Sequence, residues 1–184
     1  MQANTKYSMS QLAQLAEILD LSGGTISNER LSILFLLFQK ELVCRYGVIS
    51  AISDRVMTGD KIAIEVLDEA SVKGELPSVF FVLKNNLVSF TEKGLEMLDK
   101  DDYEDEMALY GWLCEADIKL IGEVVSSQTE EKEKDQKEAL VRFFGHSNEF
   151  LSWPEIVKRN IHWNENQPGL REYLTESETP GIFI

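Results

Sequence analysis

One stretch of the chain is apolar almost all the way round a helix, and it limits how everything else can pack. Apolar residues form a stripe there and also fill the sides next to it: Leu31, Leu34, Phe35, Phe38 and Leu42 on the stripe, with Ile33, Leu36 and Leu37 beside it. A helix without a polar face must be surrounded by protein. Ser27 or Asn28 can cap its start, and Gly47 can end it. We therefore predict a central, buried helix with the other elements arranged round it.

Weaker amphipathic patterns predict the surrounding helices. In chain order these are a helix from the cap Ser8 to Gly23-Gly24, two helices within 48–70, a short helix behind Thr91, a helix over 115–125, and a solvated helix or linker from 128 that ends at Gly145. Gly59-Asp60 is the turn signal that divides the stretch 48–70. A last helix start is expected at Ser152, with Pro154 at the first helical position.

Only one region carries a clear strand signal. The β-branched and aromatic run 79–83 is followed by Asn85-Asn86, which tolerate the left-handed backbone of a tight turn, and then by the run 87–90. The predicted fold class is therefore mainly α: a single-domain helical bundle with a small two-stranded β-hairpin at about residues 79–90. Because the composition changes after Trp163, we expect a helical domain over 1–163 and a C-terminal tail over 164–184 that is loosely docked or ordered by a partner.

The charge balance limits the classes of partner. The 18 Lys and Arg residues are outnumbered by 32 Asp and Glu residues, which gives a net charge of -14. Such a chain repels phosphate backbones and anionic lipid headgroups, so direct binding to nucleic acid or to a membrane is not expected. The start of the chain lacks the pattern of a signal peptide, and Cys44 and Cys114 lie among apolar residues as buried reduced thiols do. These features favour a cytoplasmic protein.

The residues that could carry chemistry do not form a recognisable catalytic or metal-binding pattern. Cys44, Cys114, His146 and His162 are scattered without zinc-site spacing. Neither cysteine lies in a nucleophile turn, and no partner is evident that would orient His146 as a general base. We therefore expect no catalytic residue, no metal and no cofactor, and we interpret the chain as a binding protein.

Carboxylates and tryptophans are the candidates for contact with a partner protein. The acidic residues 99–106 should form a solvated loop, and an exposed tryptophan supplies more binding energy than most side chains. The partner-binding candidates are Asp101, Asp102, Glu104, Asp105, Glu106, Trp153 and Trp163. For Trp153 and Trp163 a place in the core is the competing interpretation. Trp112, which is flanked by Gly111 and Leu113, is assigned to the core.

The order of these features resembles the Panacea (SocA-like) domain family of bacterial and phage antitoxins. The resemblance covers roughly residues 9–160 and is carried by the segments 16–19, 23–27, 30–38, 42–47 and 115–125, together with His146 and Trp153. One departure is the turn Gly59-Asp60-Lys61, where the family usually shows Gly-Pro-Val. The resemblance implies a mostly helical domain without known catalytic residues that neutralises a toxic protein by direct contact. Some relatives look like adaptors that pass the toxin to an ATP-dependent protease.

Two functions follow as expectations. The first is an antitoxin-like protein that binds a cognate toxin. The alternative is a phage-encoded acidic inhibitor that presents carboxylates in place of phosphates to a host defence enzyme. A mimic of this kind needs carboxylates spread over a continuous face, whereas this sequence concentrates them in one loop and one helix.

Overall fold

The computed structural model describes residues 9–46, 55–65, 67–68, 80–98, 109–127, 130–153 and 155–156. The helices in this part of the chain are α1 (Met9–Leu21), α2 (Asn28–Tyr46), α3 (Glu92–Glu96), α4 (Glu115–Ser126) and α5 (Glu130–Phe144), with a 3-10 turn at Leu109–Trp112. The strands are β1 (Thr25–Ser27), β2 (Val56–Thr58), β3 (Ile62–Ile64), β4 (Phe81–Lys84) and β5 (Leu87–Phe90). The predicted tail 164–184 lies outside the described residues.

Helix α2 is the buried centre that the sequence predicts. Ile33, Phe35 and Phe38 are fully buried, and α1, α4, α5, β1 and β3 all pack against the helix. The Ser27 hydroxyl accepts a hydrogen bond from the backbone N–H of Arg30 and so caps the first turn. Because α2 is apolar on every side, its neighbours cover it from several directions, and this arrangement fixes the positions of the outer helices.

The glycines and the cap that were predicted to mark the ends of the outer helices do so where the structure describes them. Helix α1 ends at Leu21, and Gly23 and Gly24 both adopt positive φ angles there. The Thr91 hydroxyl accepts the backbone N–H of Gly94, which caps α3 as predicted. Helix α4 buries Leu120, Ile121 and Val124 along its apolar stripe, and α5 stops before Gly145.

The predicted fold class is wrong, because the protein is a mixed α/β structure with two small antiparallel sheets and is not a helical bundle. The hairpin over 79–90 is present as β4 and β5, joined by Asn85 and Asn86 at φ angles of 53° and 62°. It is extended by β1, which pairs with β5 in the register Thr25 to Ser89. The second sheet joins β2 and β3.

The sequence predicts two helices within 48–70, but residues 47–54 lie outside the described residues. From 55 onward the described chain forms two strands first and, as far as 68, is helical only at 65 and 67–68. Gly59-Asp60 is a turn, as predicted, but it joins two strands and does not separate two helices. The segment after α5 supports this hairpin from the side, since Val56 and Leu151 exchange two backbone hydrogen bonds of 2.9 Å and the Thr58 hydroxyl donates to the carbonyl of Gly145. These partners lie about ninety residues away in sequence, so local propensity does not reveal them.

Hydrogen bonds, an ion pair and a cation–π contact connect α4 and α5 to α2. A guanidinium nitrogen of Arg30 donates to the side-chain oxygen of Gln136 at 2.8 Å, and Lys40 lies 6.0 Å from the ring of Phe143. The second contact lies further along both α2 and α5 than the first, so the two helices run in the same direction. At the other end, Arg45 forms an ion pair of 2.7 Å with Glu123 of α4.

Gln39 gives a first testable prediction, because its buried amide is a local cost. The side chain is 0% exposed, and neither its oxygen nor its nitrogen has a hydrogen-bond partner in the described part of the chain. Replacing Gln39 with Met keeps the length of the side chain and removes the desolvated amide. We expect Gln39→Met to raise the free energy of unfolding by about 1 kcal/mol, measured by urea denaturation.

Gln136→Met is the matched control for this substitution, since it removes an amide that accepts a hydrogen bond from Arg30. It should lower the free energy of unfolding. If Gln39→Met is destabilising as well, the amide of Gln39 is satisfied in solution and the interpretation is wrong.

Candidate protein-binding surface

The partner-binding candidates predicted from sequence divide into two groups. Six of them lie outside the described residues and remain predictions: Asp101, Asp102, Glu104, Asp105, Glu106 and Trp163. The seventh, Trp153, is described, and it is only 4% exposed. Its ring packs edge-on against Phe144 with the centroids 5.1 Å apart. Trp153 is therefore a core residue, and its assignment to a partner-binding surface is corrected.

The local structure explains why Trp153 faces inward. Both the backbone N–H and the hydroxyl of Ser152 donate to the carboxylate of Glu155, so this carboxylate caps the start of a helical turn. Leu151, immediately before the cap, pairs with Val56 of β2. With both sides of the turn fixed, the indole is directed onto the end of α5.

The structure places Trp112 at the surface, against the sequence prediction; Tyr46 at the end of α2 is the other exposed large aromatic residue among those described. Trp112 is 49% exposed, and it ends the 3-10 turn Leu109–Trp112, which packs against α1. The next residue, Leu113, packs against the core. Successive side chains point in different directions, and the partly buried Leu113 takes the inward direction just after the turn, which leaves Trp112 facing outward. A flanking leucine was therefore a misleading signal for burial.

The backbone that carries Trp112 is fixed on both sides by helices. Residues 11–19 of α1 are all buried, so the helix beneath the turn is itself part of the core. On the other side the chain enters α4 directly, with Cys114 as the N-cap residue. A side chain presented by fixed backbone loses little conformational entropy when it binds, and such preorganisation favours affinity.

Other exposed apolar residues are less suited to anchor a partner. Val82 and Leu87 lie on the solvent face of the three-stranded sheet, and Leu95 lies on α3. Single exposed aliphatic side chains are common on protein surfaces. Tryptophan buries more area and is enriched among the residues that dominate binding energies. Trp112 is therefore the most informative surface residue that the structure describes.

The described residues with catalytic potential, both cysteines and His146, are all exposed, and His162 lies outside the described residues. His146 Nε2 is 3.9 Å from the carboxylate of Asp60, and both side chains are mostly exposed. The side chain of Asn148 makes two hydrogen bonds to Asp60. Its amide oxygen accepts the backbone N–H of Asp60 at 2.8 Å, and its amide nitrogen donates to the Asp60 carboxylate at 3.0 Å, which fixes the turn between β2 and β3. Within the described ranges, no group of three or more His, Cys, Asp or Glu residues could hold a metal ion. This arrangement fixes a turn at the surface, with His146 exposed beside it.

The prediction that both cysteines are buried is wrong. Cys44 and Cys114 are exposed, Cys44 near the end of α2 and Cys114 before α4. The apolar neighbours that suggested burial point into the core, while each cysteine takes the outward position next to them. Partial burial of its sulfur still raises the pKa of the Cys44 thiol, and this effect outweighs the opposing charges of Lys40 and Arg45.

The raised pKa of Cys44 predicts a thiol that is alkylated slowly at neutral pH. Only the thiolate reacts with alkylating agents, so Cys44 should react with iodoacetamide more slowly than free cysteine at pH 7.5. Its rate should also reach half its maximum at a higher pH than that of free cysteine. A Cys114→Ser variant isolates Cys44 for the measurement by mass spectrometry. A rate above that of free cysteine would indicate an activated nucleophile and would contradict this assignment.

Helix α5 carries charges of both signs. A groove of about 780 Å³ runs beside it and is lined by Glu133, Lys134, Lys137, Glu138, Val141 and Arg142. Hydrogen bonds to the carboxylates of Glu29 and Glu133 raise the pKa of Lys137. Because these carboxylates are already paired with cations, the described face of α5 does not present a continuous row of free negative charge.

No helix within the described residues has both the length and the apolar character needed to cross a bilayer. Comparison of the chain with models of protein families, with curated proteins and with solved structures finds no match.

Proposed function

We propose that this chain is an antitoxin-like protein that neutralises a toxic partner in the cytoplasm by direct binding. The observation that carries the proposal is Trp112, an aromatic side chain held half exposed on a turn that packs against the core. The resemblance of the chain's apolar pattern to the Panacea family is what points to a toxin as the class of partner. The geometry around His146, Cys44 and Cys114 gives no support to a catalytic alternative.

In the proposed complex, direct contact sets the dissociation rate and long-range charge sets the association rate. Trp112 supplies buried area at the centre of the contact, where water is excluded and a few residues dominate the affinity. The net charge of -14, including the predicted acidic loop over 101–106, speeds the encounter with a basic partner. The association rate should therefore fall as the salt concentration rises, while the dissociation rate depends on Trp112.

The nucleic-acid mimic has less support. A mimic must present unpaired carboxylates at phosphate-like spacing, and the carboxylates Glu29 and Glu133 beside α5 are instead bound to Lys137. The binding energy available from Trp112 also has no counterpart in imitation of a phosphate backbone.

Co-expression with the protein encoded beside this chain tests the proposal. We expect the neighbour to inhibit growth when expressed alone, growth to be restored by this chain, and the two proteins to elute together from a sizing column. Measuring the neighbour's half-life in cells with and without ATP-dependent proteases distinguishes simple occlusion from delivery to a protease. A neighbour that neither inhibits growth nor binds this chain would count decisively against the antitoxin-like function.

A further inference from the structure

Unpaired negative charge lies beside Trp112. Glu115 and Asp117 occupy the first turn of α4, three and five residues after the tryptophan. Glu115 is exposed and Asp117 is half-buried. Neither carboxylate takes part in an ion pair within the described ranges, although Lys119 stands one turn after Glu115. Chain geometry keeps the Cα atoms of Trp112 and Glu115 within about 10 Å of each other.

An exposed indole that precedes an exposed carboxylate by three residues matches the chemistry of arginine. A guanidinium is planar, so it stacks on an aromatic ring while its N–H groups donate to a nearby carboxylate. Lysine offers only a point charge that is more strongly hydrated, which makes it a weaker fit to the same pair of features. Nucleic acids and anionic lipids are repelled by the charge of -14, so the matching surface belongs to a basic polypeptide.

We infer that Trp112, with Glu115 and Asp117, is a docking point for an arginine side chain on a basic segment of the partner protein. This inference rests on the proposed function, because it assumes that the partner is a protein. It adds the chemistry by which that partner is recognised. The guanidinium stacks on the exposed indole, and the two carboxylates in the first turn of α4 contribute a local negative potential that attracts its charge.

Two blocked decapeptides of equal charge test the inference on the full chain, one of alternating Ala and Arg and one of alternating Ala and Lys. Binding is measured by isothermal titration calorimetry in 150 mM salt. We expect the Arg peptide to bind more tightly than the Lys peptide, and Trp112→Ala to weaken the Arg peptide by roughly tenfold. The double variant Glu115→Gln, Asp117→Asn should weaken both peptides and keep the fold.

Leu95→Ala and Glu92→Gln are matched controls, because they remove an exposed apolar side chain and a first-turn carboxylate from α3, a different helix. Neither should change the affinity. Equal binding of the two peptides, or an affinity that Trp112→Ala leaves within a factor of two, would overturn the inference. A dimer of the chain alone that Trp112→Ala dissociates would also overturn it, since a second copy would then occupy the site.

The two proposals fail separately. If the neighbouring protein binds and Trp112→Ala weakens it, but the Arg peptide shows no preference, the function stands and the arginine inference falls. If the neighbour does not bind while the Arg peptide binds in a manner that depends on Trp112, the antitoxin-like function falls and the recognition chemistry stands.

Discussion

Replacing Trp112 with alanine is expected to weaken the complex with the proposed partner protein by roughly 30-fold or more, which corresponds to about 2 kcal/mol. The physical reason is that the turn Leu109–Trp112 packs on the buried helix α1 and holds the indole in place before binding. Loss of the indole therefore removes apolar contact area, and no saving in conformational entropy offsets it. The effect should fall mainly on the dissociation rate, because the long-range charge that steers the encounter is unchanged. Surface plasmon resonance at two salt concentrations separates the two rates.

The substitution should leave the folded chain intact, since Trp112 is half exposed and its neighbour Leu113 retains the contact with the core. Leu95→Ala is again the matched control, because Leu95 is 59% exposed on a different element. If both variants weaken the complex equally, the loss reflects non-specific association of exposed apolar side chains and not a specific contact of Trp112. Unchanged affinity for Trp112→Ala together with an unchanged melting temperature would exclude this surface.

Replacing Gly94 with alanine is expected to lower the free energy of unfolding by about 3 kcal/mol. A Cβ atom at this position would lie 2.1 Å from the carbonyl oxygen of Phe80 and 3.2 Å from the ring of Phe90. The carbonyl belongs to the backbone and accepts the N–H of Thr91, the N-cap residue of α3. Relief of the contact therefore requires α3 to move away from the hairpin, and the melting temperature should fall by about 10 °C.

Gly122 offers a matched control for this prediction. It lies within α4, and a Cβ atom there would meet nothing within 4 Å. Gly122→Ala should stabilise the protein by about 0.5–1 kcal/mol, because alanine is the better helix former. If Gly94→Ala behaved like Gly122→Ala in thermal denaturation, the close approach of α3 to Phe80 would be wrong.

The features that local sequence can encode were predicted well. The apolar run of α2, the glycines after α1 and α5, the Thr91 cap and the Asn85-Asn86 turn each depend on residues within a few positions of one another. Their physical basis is the helical period, the cap hydrogen bond and the freedom of Gly and Asn to adopt positive φ angles.

The features that were missed depend on contacts between distant residues. Strand β1 has only three residues, Thr25–Ser27, and becomes a strand because β5 lies beside it. Strands β2 and β3 are as short, and an alternation over three residues cannot be distinguished from a helical pattern. Their stability comes partly from residues 145–151 after α5.

The candidate site was only partly within reach of the sequence. Whether a tryptophan beside a leucine is buried depends on which of the two the local turn directs inward. The sequence placed Trp112 in the core, which is wrong, and left Trp153 between the core and a partner-binding surface, of which the structure shows the core. The one signal that could have singled out Trp112 is its position between the acidic residues 99–106 and the acidic first turn of α4.

The central claim is that the protein acts by binding another protein through the surface around Trp112. Hydrogen–deuterium exchange of the full chain, with and without the purified protein encoded beside it, tests this most directly. The account predicts slower exchange in the partner complex over residues 109–117, with little change in the hairpin of β4 and β5. Protection confined to other segments, with exchange at 109–117 unaltered in a saturated complex, would contradict it.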